Sequence, residues 1–172
     1  MIWAQDLRGT IGDGASMLWR VPADYRHFRE VTTGHTVIMG RKTFESLGSR
    51  ALPERRCIVV SSHPDPGWRG VERAPHLDAA LEMSAADAEP RWIIGGGQLY
   101  AQAIDHADLL VVTTVKLTVE GSVVAPHIGP EWHRVDVAPE PSWPPTCISD
   151  PEGTWRDVSG DAAWRVSVYR RA

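Results

Sequence analysis

The feature that most restricts the fold of this chain is a series of short, unbroken apolar runs set apart by helix-length segments. The runs are Met1–Gln5, Thr36–Met39, Cys57–Ser61, Trp92–Ile94 and Leu109–Val115. Ala23–Thr32, Arg41–Leu47, Leu77–Ser84 and Gln98–Ile104 lie between them and read as helices. A strand that is apolar at successive positions needs cover on both of its faces. Strands of this kind alternating with helices predict an α/β fold around a largely parallel sheet. Pro22 stands where a helix starts without losing a hydrogen bond, and Asp24 falls in the favourable first turn. Leu77, Ala80, Leu81 and Met83 follow a mostly helical period behind Pro75.

The character of the chain changes toward its C-terminus. Four prolines fall within Pro139–Pro145, and Gly and Asp are frequent from Asp150 to Asp161. Trp155–Val158 and Trp164–Tyr169 then flank Ser159-Gly160-Asp161, a turn signal that predicts an antiparallel hairpin. With no internal repeat and no low-complexity segment, residues 1–172 are expected to form one domain.

Composition narrows the function classes. A chain of 172 residues, 42% hydrophobic and 23% charged, has the means to bury an ordinary core, which excludes general disorder. Its 18 basic against 22 acidic residues leave a net charge of -4, unlike the basic excess of a nucleic-acid-binding domain. An anionic small molecule is still compatible, because a few well-placed arginines suffice for it. Cys57 and Cys147 are far apart and without metal-type spacing, and the seven histidines are scattered. No nucleophile elbow is present either, so neither a covalent nor a metal mechanism is expected. No apolar run approaches the roughly 18 residues that cross a bilayer, and no N-terminal stretch resembles a signal peptide. The expectation is a cytoplasmic protein without membrane or nucleic-acid partners.

Three strand ends carry groups that suit phosphate. Gly95-Gly96-Gly97 follows Trp92–Ile94 and opens a helical stretch, where glycines let the backbone approach a ligand closely. Tyr100 stands where a Rossmann fingerprint needs its third glycine, so the motif is a different one, and a simple tight turn is the competing reading. Gly40-Arg41-Lys42-Thr43 follows a strand in the same way and is either a phosphate clamp or a solvated helix start. Val60-Ser61-Ser62-His63 repeats the arrangement with hydroxyl donors. In open α/β sheets the ligand crevice lies at the carboxyl ends of the strands. Asp24, behind Met17-Leu18-Trp19-Arg20-Val21-Pro22-Ala23, is either a helix cap or a partly buried carboxylate for an amidine-like heterocycle edge.

In their order and spacing these motifs resemble dihydrofolate reductase. The likeness runs from Ile2 to about Gly121 and extends to the terminal hairpin. It is carried by Ile2-Trp3-Ala4-Gln5, Ile11-Gly12, Met17-Leu18-Trp19, Pro22-Ala23-Asp24, Phe28, Val37–Thr43, Leu52-Pro53, Arg55 and Ile93–Tyr100. The resemblance implies an eight-stranded, mostly parallel sheet with flanking helices and a C-terminal antiparallel hairpin. It also implies NADPH-dependent reduction of 7,8-dihydrofolate to tetrahydrofolate, by hydride transfer to C6 and protonation of N5, with antifolates as inhibitors; a monomer is the simplest expectation for its working form.

Residue roles follow from the same likeness. Asp24 would hold the 2-amino group and N3 of the pterin, supported by Thr113, with Met17 over the reacting rings and Trp19 beside them. Ile2, Trp3, Phe28, Leu47, Leu52 and Ile94 would line the folate pocket, and Arg55 would take the α-carboxylate of the glutamate tail. Ala4, Ile11, Gly12, Gly95, Gly96, Gly97, Gln98, Leu99 and Tyr100 would cover the nicotinamide and pyrophosphate. Arg41, Ser61 and Ser62 would read the 2′-phosphate, with Gly40, Lys42 and Thr43 on the pyrophosphate side. Gly9–Leu18 would act as a lid.

The chain also departs from its relatives. Leu18 replaces a common proline, Phe44 a common Trp, and Gln98 a cation seen in some relatives. Ser122 replaces a common Asp, which is expected to remove one partner of the lid. Two rivals remain open at this point: a pyrimidine reductase of the same fold, and a non-catalytic pterin- or nucleotide-binding protein.

Overall fold

The computed structural model describes residues 1–64, 67–136 and 145–172. In chain order the elements are β1 (Ile2–Gln5), β2 (Thr10–Gly12), α1 (Pro22–Thr32), β3 (Thr36–Gly40), α2 (Arg41–Ser46), β4 (Arg56–Val60), β5 (Glu72–Ala74), α3 (Leu77–Met83), β6 (Trp92–Ile93), α4 (Gly97–Ala103), β7 (Leu109–Val115), β8 (Val123–Val124), β9 (Trp132–Val135), β10 (Arg156–Ser159) and β11 (Ala162–Arg171). Each apolar run became a strand and each intervening segment a helix. The proline-rich stretch from Pro139 to residue 144 lies outside the described residues.

The strands pair in two main ladders. One runs β5-β4-β3-β6 and is parallel throughout. The other runs β1-β7-β11-β10, with β9 also on β11; β1 and β7 are parallel and the rest antiparallel. A small third ladder joins β2 to β8. This differs from the single eight-stranded, mostly parallel sheet expected above, since antiparallel pairings are as numerous as parallel ones among the described residues. The reason is local. β6 is two residues long before the chain turns at Gly95, and no described pairing carries it across to β1. β9, β10 and β11 return without a crossover helix, so they pair antiparallel. The predicted hairpin closes with Ser159 opposite Ala162, and Gly160 takes φ +66° in its two-residue turn.

The two main ladders share their cores. Strand residues alternate between two apolar clusters, as a period of two requires when both faces are covered. Ile2, Val37, Met39, Cys57, Val59, Trp92, Val111, Val166 and Val168 belong to the first cluster, beneath α1. Trp3, Ile38, Ile58, Ile93, Leu110 and Val112 belong to the second, beneath α3 and α4. Among the described residues no helix is long and apolar enough to cross a membrane.

Candidate active site

Pro22 opens α1, and Val21 at its N-cap offers no side-chain bond. The orphan N–H of Ala23 instead donates to Ser159 Oγ at 2.9 Å, from the hairpin 136 residues further on. Asp24, inside that first turn, makes no cap bond. Its side chain turns inward, is 6% exposed, and accepts a 2.7 Å hydrogen bond from Thr113 Oγ1. Burial raises its carboxyl from 3.8 to about 6, against the opposing pull of Thr113 and the Arg156 cation. Thr113 is paired with Ala4 in register and lies two residues beyond Val111, so it faces the first cluster.

Around this carboxylate the first cluster collects most of the residues assigned to the folate pocket. Ile2, Trp19 and Ile94 are buried in it, and Ala4, Phe28 and Leu52 pack against it half-buried. Arg55 stands at its edge with Cζ 6.0 Å from the centre of the Phe28 ring. Its guanidinium donates to Thr32 Oγ1 at 3.0 Å and to the carbonyl of Pro53 at 2.9 Å. Met17 and Leu47 are each 40% exposed and belong to neither cluster.

The expectation for Trp3 needs correction. Its side chain points into the second cluster, 5.6 Å from the ring of Tyr100, and its Nε1 donates to Gln5 Oε1 at 2.7 Å. It lies one position from Ile2 on the strand and so on the opposite face from Asp24; only its backbone is left to meet a ligand there. Leu99 and Tyr100 likewise bury their side chains in the second cluster, and the Tyr100 hydroxyl is committed to the carbonyl of Ile2 at 2.8 Å.

The glycine turns come together at the ends of β3 and β6. Gly40 N donates to Gly95 O at 2.7 Å, and Gly95 has φ +120°, where a side chain is strained. A Cβ on Gly96 would stand 3.2 Å from Thr43 Oγ1, and one on Gly97 only 2.6 Å from Val123 Cγ1 and 3.8 Å from Ile11 Cδ1. Gly40 is paired with Val60, so Arg41 and Ser61 leave adjacent strands side by side. Arg41 is half-exposed with Nε 3.7 Å from Glu45, while Lys42, Ser62 and Gln98 are exposed. Ser61 is buried, and its Oγ is bonded within the turn to His63.

Gly9–Leu18 is tied at both ends. β2 pairs with β8, Gly9 O accepts from Ala125 N at 2.8 Å, and Ser122 Oγ donates to Asp13 O at 3.2 Å. Ser122 therefore serves as a partner of this segment, contrary to the expectation from its replacement of Asp. Beyond Leu18, Arg20 N donates to Asp161 Oδ2 at 2.6 Å and its carbonyl accepts from Asp161 N at 2.9 Å. Val123, Ser159 and Asp161 thus support these segments; the sequence marks Ser159 and Asp161 only as a hairpin turn and Val123 not at all, because a two-residue strand carries too little pattern.

Comparison with known proteins agrees with this geometry. The family model described as "Dihydrofolate reductase" matches residues 1–142. The chain belongs to the dihydrofolate reductase family. It is 41% identical to dihydrofolate reductase of Mycobacterium tuberculosis (strain H37Rv) over 177 aligned positions, covering all of this chain and 97% of that one. It is 45% identical to dihydrofolate reductase type 3 of Salmonella typhimurium over 133 residues, 77% of this chain and 81% of that protein. Among solved structures it resembles dihydrofolate reductase from Enterococcus faecalis complexed with NADP(H) and RAB-propyl. There the TM-score is 0.80 and the identity 32%, covering 99% and 94% of the two chains. The dihydrofolate reductase fold is thus that of an α/β protein with mixed strand pairing here.

Proposed function

We propose that this chain catalyses the NADPH-dependent reduction of 7,8-dihydrofolate to 5,6,7,8-tetrahydrofolate and so supports one-carbon metabolism. Family membership supports the activity and does not favour the rival reductase or a non-catalytic binder. The observation that carries the chemistry is Asp24: a carboxylate with pKa about 6, bonded to Thr113 and set in an apolar cluster with Ile2, Phe28, Leu52 and Ile94 around it.

The residues present fit the cofactor. The Gly40 and Gly95–Gly97 turns form a cradle in which an added Cβ would meet Thr43 and Val123, leaving bare backbone toward a ligand. Ala4, Ile11 and Gly12 would border the nicotinamide, while Lys42, Thr43, Gln98 and the Leu99-Tyr100 backbone would serve the pyrophosphate. Arg41, Ser61 and Ser62 would take the 2′-phosphate, Arg41 through its guanidinium fork. When bound, NADPH supplies the hydride that C6 of the substrate accepts.

The chain's own groups do the rest. Asp24 holds the 2-amino group and N3 of the pterin and biases the ring toward the form protonated at N5, which makes C6 the better acceptor. A carboxyl titrating near 6 is placed for this near neutral pH, where an ordinary aspartate would stay ionised. Arg55, braced by Thr32 and Pro53, takes the α-carboxylate of the glutamate tail. Trp19 and Met17, with Leu47 at the rim and the Trp3 backbone beneath, complete the pocket, and Gly9–Leu18 excludes bulk water. The same reading takes the chain as a cytoplasmic monomer and as one domain, the last in keeping with two clusters that both ladders share.

The test is the loss of NADPH absorbance with purified protein and dihydrofolate, repeated with Asp24→Asn and with a diaminopyrimidine antifolate. Folate-dependent loss that both treatments suppress is the expected result. Cofactor binding without turnover would return the chain to the non-catalytic alternative.

A further inference from the structure

At the tail end of the folate pocket the chain places a carboxylate on an unfavourable backbone. Glu54 has φ +59°, and with Ser49 it is one of two described non-glycine residues in the left-handed region. Its turn is held from outside. The Glu54 carbonyl accepts from Gly34 N at 2.9 Å, just past the end of α1, and the Pro53 carbonyl before it accepts from Arg55 Nε at 2.9 Å. The Glu54 side chain reaches back to α1 and stands 3.8 Å from Arg29 Nη2, the two side chains 66% and 70% exposed. Arg29 follows Phe28, whose ring centre lies 6.0 Å from Arg55 Cζ, and it precedes by one turn Thr32, whose hydroxyl accepts from Arg55 at 3.0 Å. Arg29, Glu54 and Arg55 therefore form one charge cluster at the mouth of the pocket, with the carboxylate in contact with the first cation and next in the chain to the second.

Stability does not account for this arrangement. A left-handed backbone costs a residue with a Cβ more than an exposed ion pair returns, and glycine would take the turn without that cost. Arg29 does not need a counter-ion either, since a cation in the last turn of α1 is favoured by the helix dipole. What the glutamate adds is a negative charge at a fixed place. At 3.8 Å the pair is in contact without a hydrogen bond, so an incoming carboxylate has to compete with Glu54 for Arg29. We propose that Glu54 is a specificity-determining residue for the substrate's tail: it covers Arg29, so that Arg55 rather than a pair of cations meets the tail, and it disfavours tails with carboxylates beyond the first glutamate. The substrates told apart are folates with a single glutamate and folates extended by γ-linked glutamates. The inference rests on the reading of Arg55 as the seat of the α-carboxylate.

The test compares dihydrofolate carrying one glutamate with dihydrofolate carrying three γ-linked glutamates, by calorimetric Kd in the NADPH complex and by KM. Two variants separate charge from backbone: Glu54→Gln keeps the strain and removes the charge, and Glu54→Gly removes both. Each should bind the three-glutamate substrate about two- to fivefold more tightly than the parent does, with a smaller change for the one-glutamate substrate. High salt should remove most of the gain. The melting temperature should stay nearly unchanged for Gln and rise by about 2–4 °C for Gly. Glu54→Gln combined with Arg29→Gln should bring no gain, because the uncovered cation is then gone. A purely structural turn residue would shift the melting temperature of the Gly variant and leave the ratio of the two affinities alone. That result overturns the proposal, as does a gain that survives in the Arg29→Gln background. Affinities decide the matter even without turnover: both substrates bound but neither reduced would defeat the reductase reading, and binding indifferent to Arg55→Gln would defeat the seat given to Arg55.

Discussion

Asp24 and Arg41 both stand in the first turn of a helix that follows an apolar stretch, yet one side chain is driven inside and the other stays in water. Asp24 is 6% exposed against Thr113, whereas the Arg41 side chain is 40% exposed and leans on Glu45. A carboxylate near a helix N-terminus is favoured by the helix dipole, and a cation there is disfavoured by a few tenths of a kcal/mol. Burial reverses part of the gain for Asp24 by penalising its charge. For Arg41, an exposed i,i+4 pair is worth only about 0.3–0.5 kcal/mol and does not explain its place. The contrast separates two kinds of site. Proton handling needs a dry, fixed environment, while capture of a multiply charged phosphate needs a cation free to reach into solvent beside bare backbone.

Breaking the contrast at its buried end should have the largest effect. Asp24→Asn is expected to cut turnover by about 10²–10⁴-fold at neutral pH while leaving NADPH affinity nearly unchanged. Equal losses in turnover and in cofactor affinity, measured by steady-state kinetics and fluorescence titration, would merge the two ends. Gly95→Ala tests the cradle. At φ +120°, and with Tyr100 Oη 3.1 Å from the new Cβ, it should cost about 1–3 kcal/mol in urea unfolding and weaken NADPH binding. A variant as stable as the parent would show that this turn relaxes freely.

Arg41→Ala addresses the exposed end and should raise the NADPH Michaelis constant roughly tenfold, sparing NADH. An unchanged cofactor preference would take Arg41 out of the 2′-phosphate site.

The smallest effect concerns stability. His27 lies one turn from Asp24 with both ring nitrogens buried and unbonded among the described residues. Burial lowers its pKa from 6.5 to about 3, so its contribution to stability is lost as pH falls through that window. Asp24 has the opposite sign. Its pKa is raised from 3.8 to about 6, the folded chain holds the extra proton, and stability declines as pH rises between those values. His27→Leu is therefore expected to add about 1 kcal/mol at pH 7 and more under acid. A variant whose stability falls as steeply with acid as the parent's would show that another group controls acid unfolding.

How much of this was legible in the sequence depends on the range of the physics. The predicted helices Ala23–Thr32, Arg41–Leu47, Leu77–Ser84 and Gln98–Ile104 differ by a residue or so from Pro22–Thr32, Arg41–Ser46, Leu77–Met83 and Gly97–Ala103. Apolar period, Pro22 and the glycine turns act within a few residues, so they could be read locally. β2 and β8 were missed because three and two residues carry no period. The side of β1 taken by Trp3 was missed because alternation says that neighbours face opposite ways, and not which face holds the ligand. The eight-stranded, mostly parallel sheet was an inference from resemblance; the α/β fold it implied is present, while the described strands pair in mixed ladders and β6 stops after two residues.

What the sequence by itself determined is the order of elements, the apolar surfaces that must be covered, and the set of motifs that marks the family. What only the tertiary structure decided is the state of the groups that those motifs contain. Thr113 reaches Asp24 across 89 residues, and Ser159 takes the N–H of Ala23, beside Asp24, across 136. A pattern along the chain encodes which positions are apolar. Desolvation, charge separation and hydrogen-bond satisfaction are properties of the surroundings, and those exist only once distant segments have closed around the carboxylate.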